Sequence, residues 1–244
     1  MKVASKKIIL LSLFWISFLF LNGCDTNMQR ENNISQSTDN LEYIVDESDI
    51  LDINELLNIS STWMLSDQEK LWLIQMREEE KLARDVYTTL GTKRWAKIFS
   101  NIAESEQTHT IAVKNLLTMY SIPDPVLDDT VGKFTSSDMQ KLYNDLVAQW
   151  NKSLLDALIV GAIVEDLDIS DLNILIKETD KENIINVYNN LNRWSRNHLR
   201  AYVKNINQNG WTYSPQYISL SEYNDIISSQ QERWSNGIWK GKST

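Results

Sequence analysis

Long runs of apolar residues with a helical period constrain the fold of this chain more than any other feature. Only seven glycines and three prolines interrupt its 244 residues. Apolar residues recur at intervals of three and four positions, whereas no stretch shows the sustained polar–apolar alternation of a strand. The sequence therefore predicts an all-α protein.

Four amphipathic helices are predicted in the body of the chain. The first opens with a capping box at Ser66 and Glu69, and Gly91 is placed to end it. The others follow the same periodicity and are predicted over 95–120, 154–175 and 184–202. Each has an apolar stripe that has to be buried against its neighbours.

A long connection, residues 121–152, separates the second helix from the third. It contains a short amphipathic segment near its end, so it can cross the domain instead of turning tightly. Two helical pairs joined by one crossover fit the ferritin-like variant of the four-helix bundle. The bundle is predicted over 61–206. Residues 207–244 are predicted to be a C-terminal extension that packs on it around Trp211 and Tyr213.

The N-terminus has the features of a signal sequence. Lysines precede an apolar run at 8–21, which is too short to span a membrane comfortably and ends shortly before Cys24. It resembles a bacterial lipoprotein signal, with 1–23 as the signal peptide and Cys24 as the lipid-bearing residue. The polar segment 24–60 is then a flexible tether. This interpretation predicts a membrane-anchored protein of the cell envelope, facing outside the cytoplasm. An ordinary secretory signal or an uncleaved anchor stays open.

The composition restricts the classes of partner that this protein can bind. The formal net charge is −9, which argues against nucleic acid because phosphate contacts need lysine and arginine. One cysteine allows no intramolecular disulfide and no rubredoxin-like domain, so any electron donor would be external. A homodimer stays open as a further arrangement.

Carboxylates and histidines interrupt the apolar stripes of the predicted helices. The inward-facing set comprises Glu80, Glu106, His109, Glu165 and His198. Burial of an ionised carboxylate costs several kcal/mol unless the group is paired or binds a metal. By contrast, Glu78, Glu79 and Asp85 lie off the stripe and are predicted to be solvated.

Helical spacing brings several of these groups within reach of one cation. The pairs one turn apart are Glu106 and His109, Glu165 and Asp168, and Ser195 and His198. Carboxylate oxygens with imidazole nitrogens suit iron or manganese, and zinc is a third candidate. Four acids together bring about four negative charges, which would balance two divalent cations: Glu80, Glu106, Glu165 and Asp168. The alternative is that the histidines are buried and simply hydrogen-bonded to neighbouring carboxylates.

Several segments resemble a known superfamily. Residues 80–87 (EKLARDVY) and 102–109 (IAESEQTH) resemble the first two helices of rubrerythrin-type ferritin-like proteins. Residues 161–169 and 195–202 further resemble an uncharacterised bacterial family within that superfamily. The resemblance covers about 66–205.

This resemblance implies a di-iron site and its ligands. The implied ligands are Glu80 and His109 on one metal, Glu165 and His198 on the other, and Glu106 between them. Ser195 stands where the superfamily places a second bridging glutamate, and Asp168 is the candidate for the missing oxygen. The implied chemistry is oxidation of ferrous iron or reduction of oxygen or peroxide. The competing hypothesis is an anchored interaction or structural module with a vestigial metal site.

Overall fold

In a computed structural model, residues 64–94, 96–149 and 153–233 are described. They form six helices: α1 Asp67–Arg94, α2 Lys97–Met119, α3 Ser137–Gln149, α4 Leu154–Glu178, α5 Glu182–Gln208 and α6 Leu220–Ser228. No strand occurs within these ranges, so the prediction of an all-α protein is confirmed there. None of the six helices is long and apolar enough to cross a membrane. The predicted signal peptide, tether and Cys24 lie outside the described residues.

The start of α1 confirms the predicted capping box. The Ser66 amide donates to Glu69 Oε2 at 2.8 Å, and the Glu69 amide donates to Ser66 Oγ at 3.2 Å. The predicted end at Gly91 is wrong, because α1 continues to Arg94. Gly91 has a packing role instead. A Cβ atom there would lie 3.3 Å from the backbone nitrogen of Ser100, so glycine allows α2 to approach α1 closely.

The four long helices contact one another in pairs. Helix α1 packs along α2 and α4 packs along α5, while α1 also contacts α4 and α2 contacts α5. Two apolar clusters fill the interior. One includes Leu73, Met76, Leu116, Leu172 and Leu191, and the other includes Val86, Ile102, Leu158, Leu199 and Tyr202. On α1 and α2, the predicted site residues fall between the residues of one cluster and those of the other, whereas Glu165 on α4 and His198 on α5 lie among residues of the second cluster.

The connection between α2 and α4 lies against α1 and changes the environment of its acids. Asp85 is 0 % exposed and accepts hydrogen bonds from Lys81 Nζ and from the Gly132 amide. Glu78 is also buried, and Glu79 is partly buried. The prediction that these three acids are solvated is therefore wrong. The helical period of α1 marks them as outward-facing, but the returning chain covers that face.

The chain after α5 is attached to the long helices through a buried acid, Asp166. Its carboxylate accepts hydrogen bonds from Tyr213 Oη at 2.8 Å and from the Ile218 amide at 2.9 Å. Tyr213 is buried, whereas Trp211 is 40 % exposed. Of the two aromatic residues predicted to pack here, only Tyr213 reaches the core.

Candidate metal centre

Five polar side chains from all four long helices meet between the two apolar clusters. They are Glu80 on α1, Glu106 and His109 on α2, Glu165 on α4 and His198 on α5. None of them is more than 2 % exposed. The structure thus brings together five of the six residues that the sequence nominates as metal ligands.

Glu106 lies between the two histidines. Its Oε2 is 2.8 Å from His109 Nδ1, and its Oε1 is 2.9 Å from His198 Nδ1. The two imidazole rings are nearly parallel, with centroids 5.8 Å apart and an interplanar angle of 26°. Each carboxylate oxygen therefore faces a different histidine, as a carboxylate that bridges two cations would.

The other two glutamates complete two overlapping groups. Glu80 Oε2 is 3.2 Å from His109 Nδ1, and Glu165 Oε2 is 3.4 Å from His198 Nδ1. Glu80 and His109 form one group with Glu106, and Glu165 and His198 form another with the same Glu106. Ligand atoms bound at about 2.0–2.2 Å to one ion lie about 3 Å apart, which matches this spacing.

One oxygen in this cluster has no protein partner. Glu80 Oε1 is buried and makes no hydrogen bond within the described residues. Buried polar atoms almost always have a partner, and leaving a charged one without any costs free energy. A bound cation or a proton compensates such an oxygen. The donor set and this oxygen therefore fit a metal ion.

Burial and the neighbouring charges shift the pKa values of the ionisable groups in this cluster. Burial opposes ionisation of Glu106, but His109 and His198 outweigh it and hold the pKa of that carboxyl well below its usual range. Burial alone would lower the pKa of His198, yet Glu165 and Glu106 raise it to about 9. Burial also raises the pKa of Glu80 to about 8, even beside His109. Without metal, the cluster compensates its charge with protons.

Asp168 is the sixth predicted ligand, and the structure places it beside the centre instead of within either group. Its Oδ2 accepts a hydrogen bond from Ser195 Oγ, which also donates to the Leu191 carbonyl at 3.0 Å. Burial, followed by repulsion from Glu80, raises the pKa of Asp168 well above its usual range. Ser195 thus holds Asp168 beside the centre.

Two polar residues near the centre were missed from the sequence. Ser105 Oγ lies 3.1 Å from His198 Nε2, and Asp171 lines a cavity next to the cluster. A spacing signal for Asp171 was available, because it continues the three-residue repeat of Glu165 and Asp168 along α4. Ser105 carries no such signal, since it contacts a residue 93 positions away.

Fold and site together define an all-helical protein with a buried glutamate–histidine cluster able to hold metal ions. The chain belongs to the family described as Uncharacterized protein domain (DUF2202), whose model matches residues 69–230. Every residue of the cluster lies within this match.

The chain is also similar to an archaeal protein. Uncharacterized protein MJ0754 of Methanocaldococcus jannaschii is 56% identical over 172 residues, which cover 70% of this chain and 93% of that protein. The crystal structure titled hypothetical protein MJ0754 from Methanococcus jannaschii matches with a TM-score of 0.70 and 55% identity. That match covers 71% of this chain and 99% of the solved one.

Proposed function

We propose that α1, α2, α4 and α5 form a ferritin-like four-helix bundle whose centre binds divalent metal ions. Iron is the leading candidate, followed by manganese and zinc, because the donors are carboxylate oxygens and imidazole nitrogens. The observation that carries the proposal is Glu106, whose two oxygens face His109 and His198 at 2.8 and 2.9 Å. In ferritin-like proteins, a Glu-x-x-His motif supplies such a carboxylate and histidine from one helix.

Each half of the centre would hold one ion with one glutamate and one histidine of its own. The proposed ligands are Glu80 and His109 for the first ion, Glu165 and His198 for the second, and Glu106 for both. Tyr87 Oη donates to Glu165 Oε1 at 2.7 Å and so orients that ligand. The apolar clusters on either side limit the access of water, which strengthens every charge interaction in the centre.

Metal-centred redox chemistry is the activity that follows from such a pair. Two Fe²⁺ ions held by these ligands would supply two electrons, which with two protons would reduce one O₂ to H₂O₂ or one H₂O₂ to two water molecules. The carboxyl and imidazole groups of the protein exchange protons in the pH range where their pKa values lie, so they can deliver protons locally. An external donor would return the iron to the ferrous state.

A second candidate function is an interaction or structural module with a vestigial metal site. It is favoured by one observation, the hydrogen bond between Ser195 and Asp168 where a bridging carboxylate would otherwise reach the metals. On this view, the cluster stabilises the four helices without turnover. The two candidates differ in whether a bound metal cycles between oxidation states.

Elemental analysis of the full-length protein after anaerobic loading with Fe²⁺ tests the proposal. We expect about two iron ions per chain, as in other carboxylate-bridged bundles. The double variant Glu106→Ala/His109→Ala should lose both ions of the centre. A Glu104→Gln variant is the matched control, because this exposed acid lies on the same helix but faces solvent. Loss of iron in the control would mean that the ions are bound at the surface.

The number of bound ions and their redox behaviour decide between the candidates. About two ions that oxidise on exposure to oxygen and can be reduced again would support the redox function. One ion per chain would indicate that Ser195 leaves one half unable to hold its metal. Ions that are bound but never change oxidation state would favour the structural module. No iron in any form of the protein would overturn the proposal.

We further propose that the chain is a lipoprotein anchored through Cys24 at the outer face of a membrane. The support is the apolar segment 8–21 followed by the single cysteine of the chain. A lipid chain on Cys24 would hold the acidic domain near a bilayer by way of the polar segment 24–60. Metabolic labelling with a radioactive fatty acid should mark the protein but not its Cys24→Ala variant. Equal labelling of both would contradict the assignment.

A further inference from the structure

A small cavity lies next to the candidate metal centre, between α1, α3 and α4. Its volume is about 30 Å³, which is enough for a water-sized species or a small ion. Its walls combine apolar groups with acids, and the acids among them are Glu79, Glu80, Glu106, Glu165, Asp168 and Asp171. Three of these six are the glutamates of the metal centre, and the other three have no role in it.

The three additional acids lie on α1 and α4 and line the cavity beside the centre. Glu79 on α1 is partly buried and accepts a hydrogen bond from Gln75 at 2.7 Å. Asp171 on α4 is close enough to Glu79 for the two carboxylates to repel each other. Asp168, one turn before Asp171, reaches Ser195 beside the centre. Glu79 and Asp168 are partly exposed and Asp171 is buried, so the cavity joins partly exposed acids to the buried glutamates of the centre.

Two observations distinguish this cavity from an ordinary patch of acids. Asp171 is 4 % exposed, and no hydrogen-bond donor contacts its carboxylate within the described residues. Glu80, from the neighbouring metal centre, lines the same cavity, and its buried Oε1 has no hydrogen-bond partner within the described residues. Buried carboxylates without donors are unfavourable unless a cation or protons compensate them.

The chemistry of the lining selects the kind of ligand. Carboxylate oxygens alone are hard donors, and they suit Mg²⁺, Ca²⁺, Mn²⁺ and Fe²⁺. No histidine or cysteine lines this cavity. A site made of carboxylates only, in a space this small, should therefore bind such an ion more weakly than a centre that also offers two imidazoles.

We propose that Glu79, Asp168 and Asp171 form a second, weaker divalent-cation site through which metal ions reach the glutamate–histidine centre. The geometry supports such passage because the partly exposed Glu79 and Asp168 line the same cavity as the buried Glu80 of the centre. The passage role rests on the proposed metal centre, because that centre is its destination. Cation binding by the three acids can be measured separately.

A double variant, Glu79→Gln/Asp171→Asn, removes two charges and keeps the shape of both side chains. The matched control is Glu104→Gln/Glu178→Gln, which removes two charges from exposed positions on α2 and α4. Mn²⁺ binding by electron paramagnetic resonance counts the ions, and stopped-flow absorbance with Co²⁺ measures the loading rate. The full-length protein is used in both assays.

We expect the double variant to lose one weakly bound Mn²⁺ per chain and to load Co²⁺ about tenfold more slowly, because the acids no longer concentrate cations at the entrance. The final Co²⁺ content of the centre should not change. The surface control should load at the rate of the unmodified protein. Equal loading rates and equal Mn²⁺ counts in the double variant and the unmodified protein would overturn the inference.

Failure of this inference and failure of the proposed function can be told apart. In a Glu106→Gln/His109→Asn variant, the centre is disabled but the three acids remain, so the weak Mn²⁺ should persist. If that ion disappears together with the centre, the acids do not form a site of their own. If the unmodified protein binds only the weak ion, the proposed centre is wrong while the acid site stands. Should the double variant not fold, the single variant Asp171→Asn provides the same comparison.

Discussion

The two halves of the candidate centre use the same ligand types but differ in how those ligands are held. In the half formed by α4 and α5, Tyr87 donates to Glu165 at 2.7 Å and Ser105 lies 3.1 Å from His198 Nε2. In the half formed by α1 and α2, neither Glu80 Oε1 nor His109 Nε2 has a hydrogen-bond partner within the described residues.

The difference shows which half is preorganised. Groups that contact a metal ligand from behind fix its orientation, and their loss commonly weakens metal binding 10- to 100-fold. Both supporting residues come from the opposite helical pair, since Tyr87 is on α1 and Ser105 is on α2. The α4–α5 half is thus held by contacts across the four helices, whereas the α1–α2 half keeps freedom to adjust. We therefore expect the α4–α5 half to bind its ion more tightly.

The largest expected effect comes from the residue that the halves share. In a Glu106→Gln variant, each ion loses an anionic ligand, so both halves should bind Mn²⁺ about 100-fold more weakly. In a Glu80→Gln variant, only the α1–α2 half should weaken. Isothermal titration calorimetry with Mn²⁺ distinguishes the two patterns. If both variants affect the same single ion, the centre holds one metal and the comparison between halves does not apply.

Solution pH provides a second test, with opposite effects on the metal-free and metal-bound forms. In the metal-free fold, the pKa of Glu80 is raised to about 8 and that of His198 to about 9. The folded chain therefore holds more protons than the unfolded chain above the usual pKa values of these groups. Their contribution to the free energy of unfolding is present at low pH and is lost as pH rises through 8 to 9.

Metal binding requires the same protons to leave, so affinity should rise with pH. Because Glu80 and His198 are both protonated at pH 6, we expect Mn²⁺ affinity to increase about tenfold or more per pH unit up to pH 8. Thermal melts from pH 6 to 9 should show the metal-free protein becoming less stable and the metal-loaded protein becoming more stable relative to it. Parallel pH profiles with and without Mn²⁺ would contradict the assignment of these protons to the centre.

A variant of Ser195 tests directly the difference between the two halves of the candidate centre. A Ser195→Glu variant places a carboxylate beside Asp168, and without metal the two acids should repel each other in a buried site. We expect the metal-free variant to lose about 3 kcal/mol of stability, within the range seen when a buried charge lacks a partner. Metal should restore that stability, and the variant should retain the more weakly bound ion better than the unmodified protein does. The double variant Ser195→Glu/Asp168→Asn controls for the repulsion, because it retains the new ligand without the neighbouring charge.

The outcome for Ser195→Glu has a clear interpretation. If the variant retains the more weakly bound ion better than the unmodified protein does, the missing carboxylate is what limits metal binding by the centre. If ion retention is unchanged in both the single and the double variant, the serine is not what limits metal binding. Chemical denaturation of the metal-free proteins gives the stability difference, and elemental analysis gives the number of ions.

The sequence predicted the helices and the inward-facing candidate ligands better than it predicted how the connections between helices pack. The capping box at Ser66 and the inward positions of Glu80 and Glu165 depend on local patterns, so they could be read from the sequence. The burial of Asp85 could not, because it depends on Gly132 in a connection that returns to cover α1. The role of Ser105 was equally hidden, since it depends on contact between helices.

The smallest expected effects come from variants of Ser105 and Tyr87, which contact the metal ligands of the α4–α5 half. These variants test the two supporting contacts most specifically. A Ser105→Ala variant removes the group beside His198 Nε2, and we expect about tenfold weaker binding of the α4–α5 ion only. Tyr87→Phe should weaken the same ion by a similar factor, because it leaves Glu165 Oε1 without its donor. Calorimetry with Mn²⁺ should therefore show the two affinities converging in either variant. If the α1–α2 ion weakens instead, the preorganised half has been assigned to the wrong helical pair.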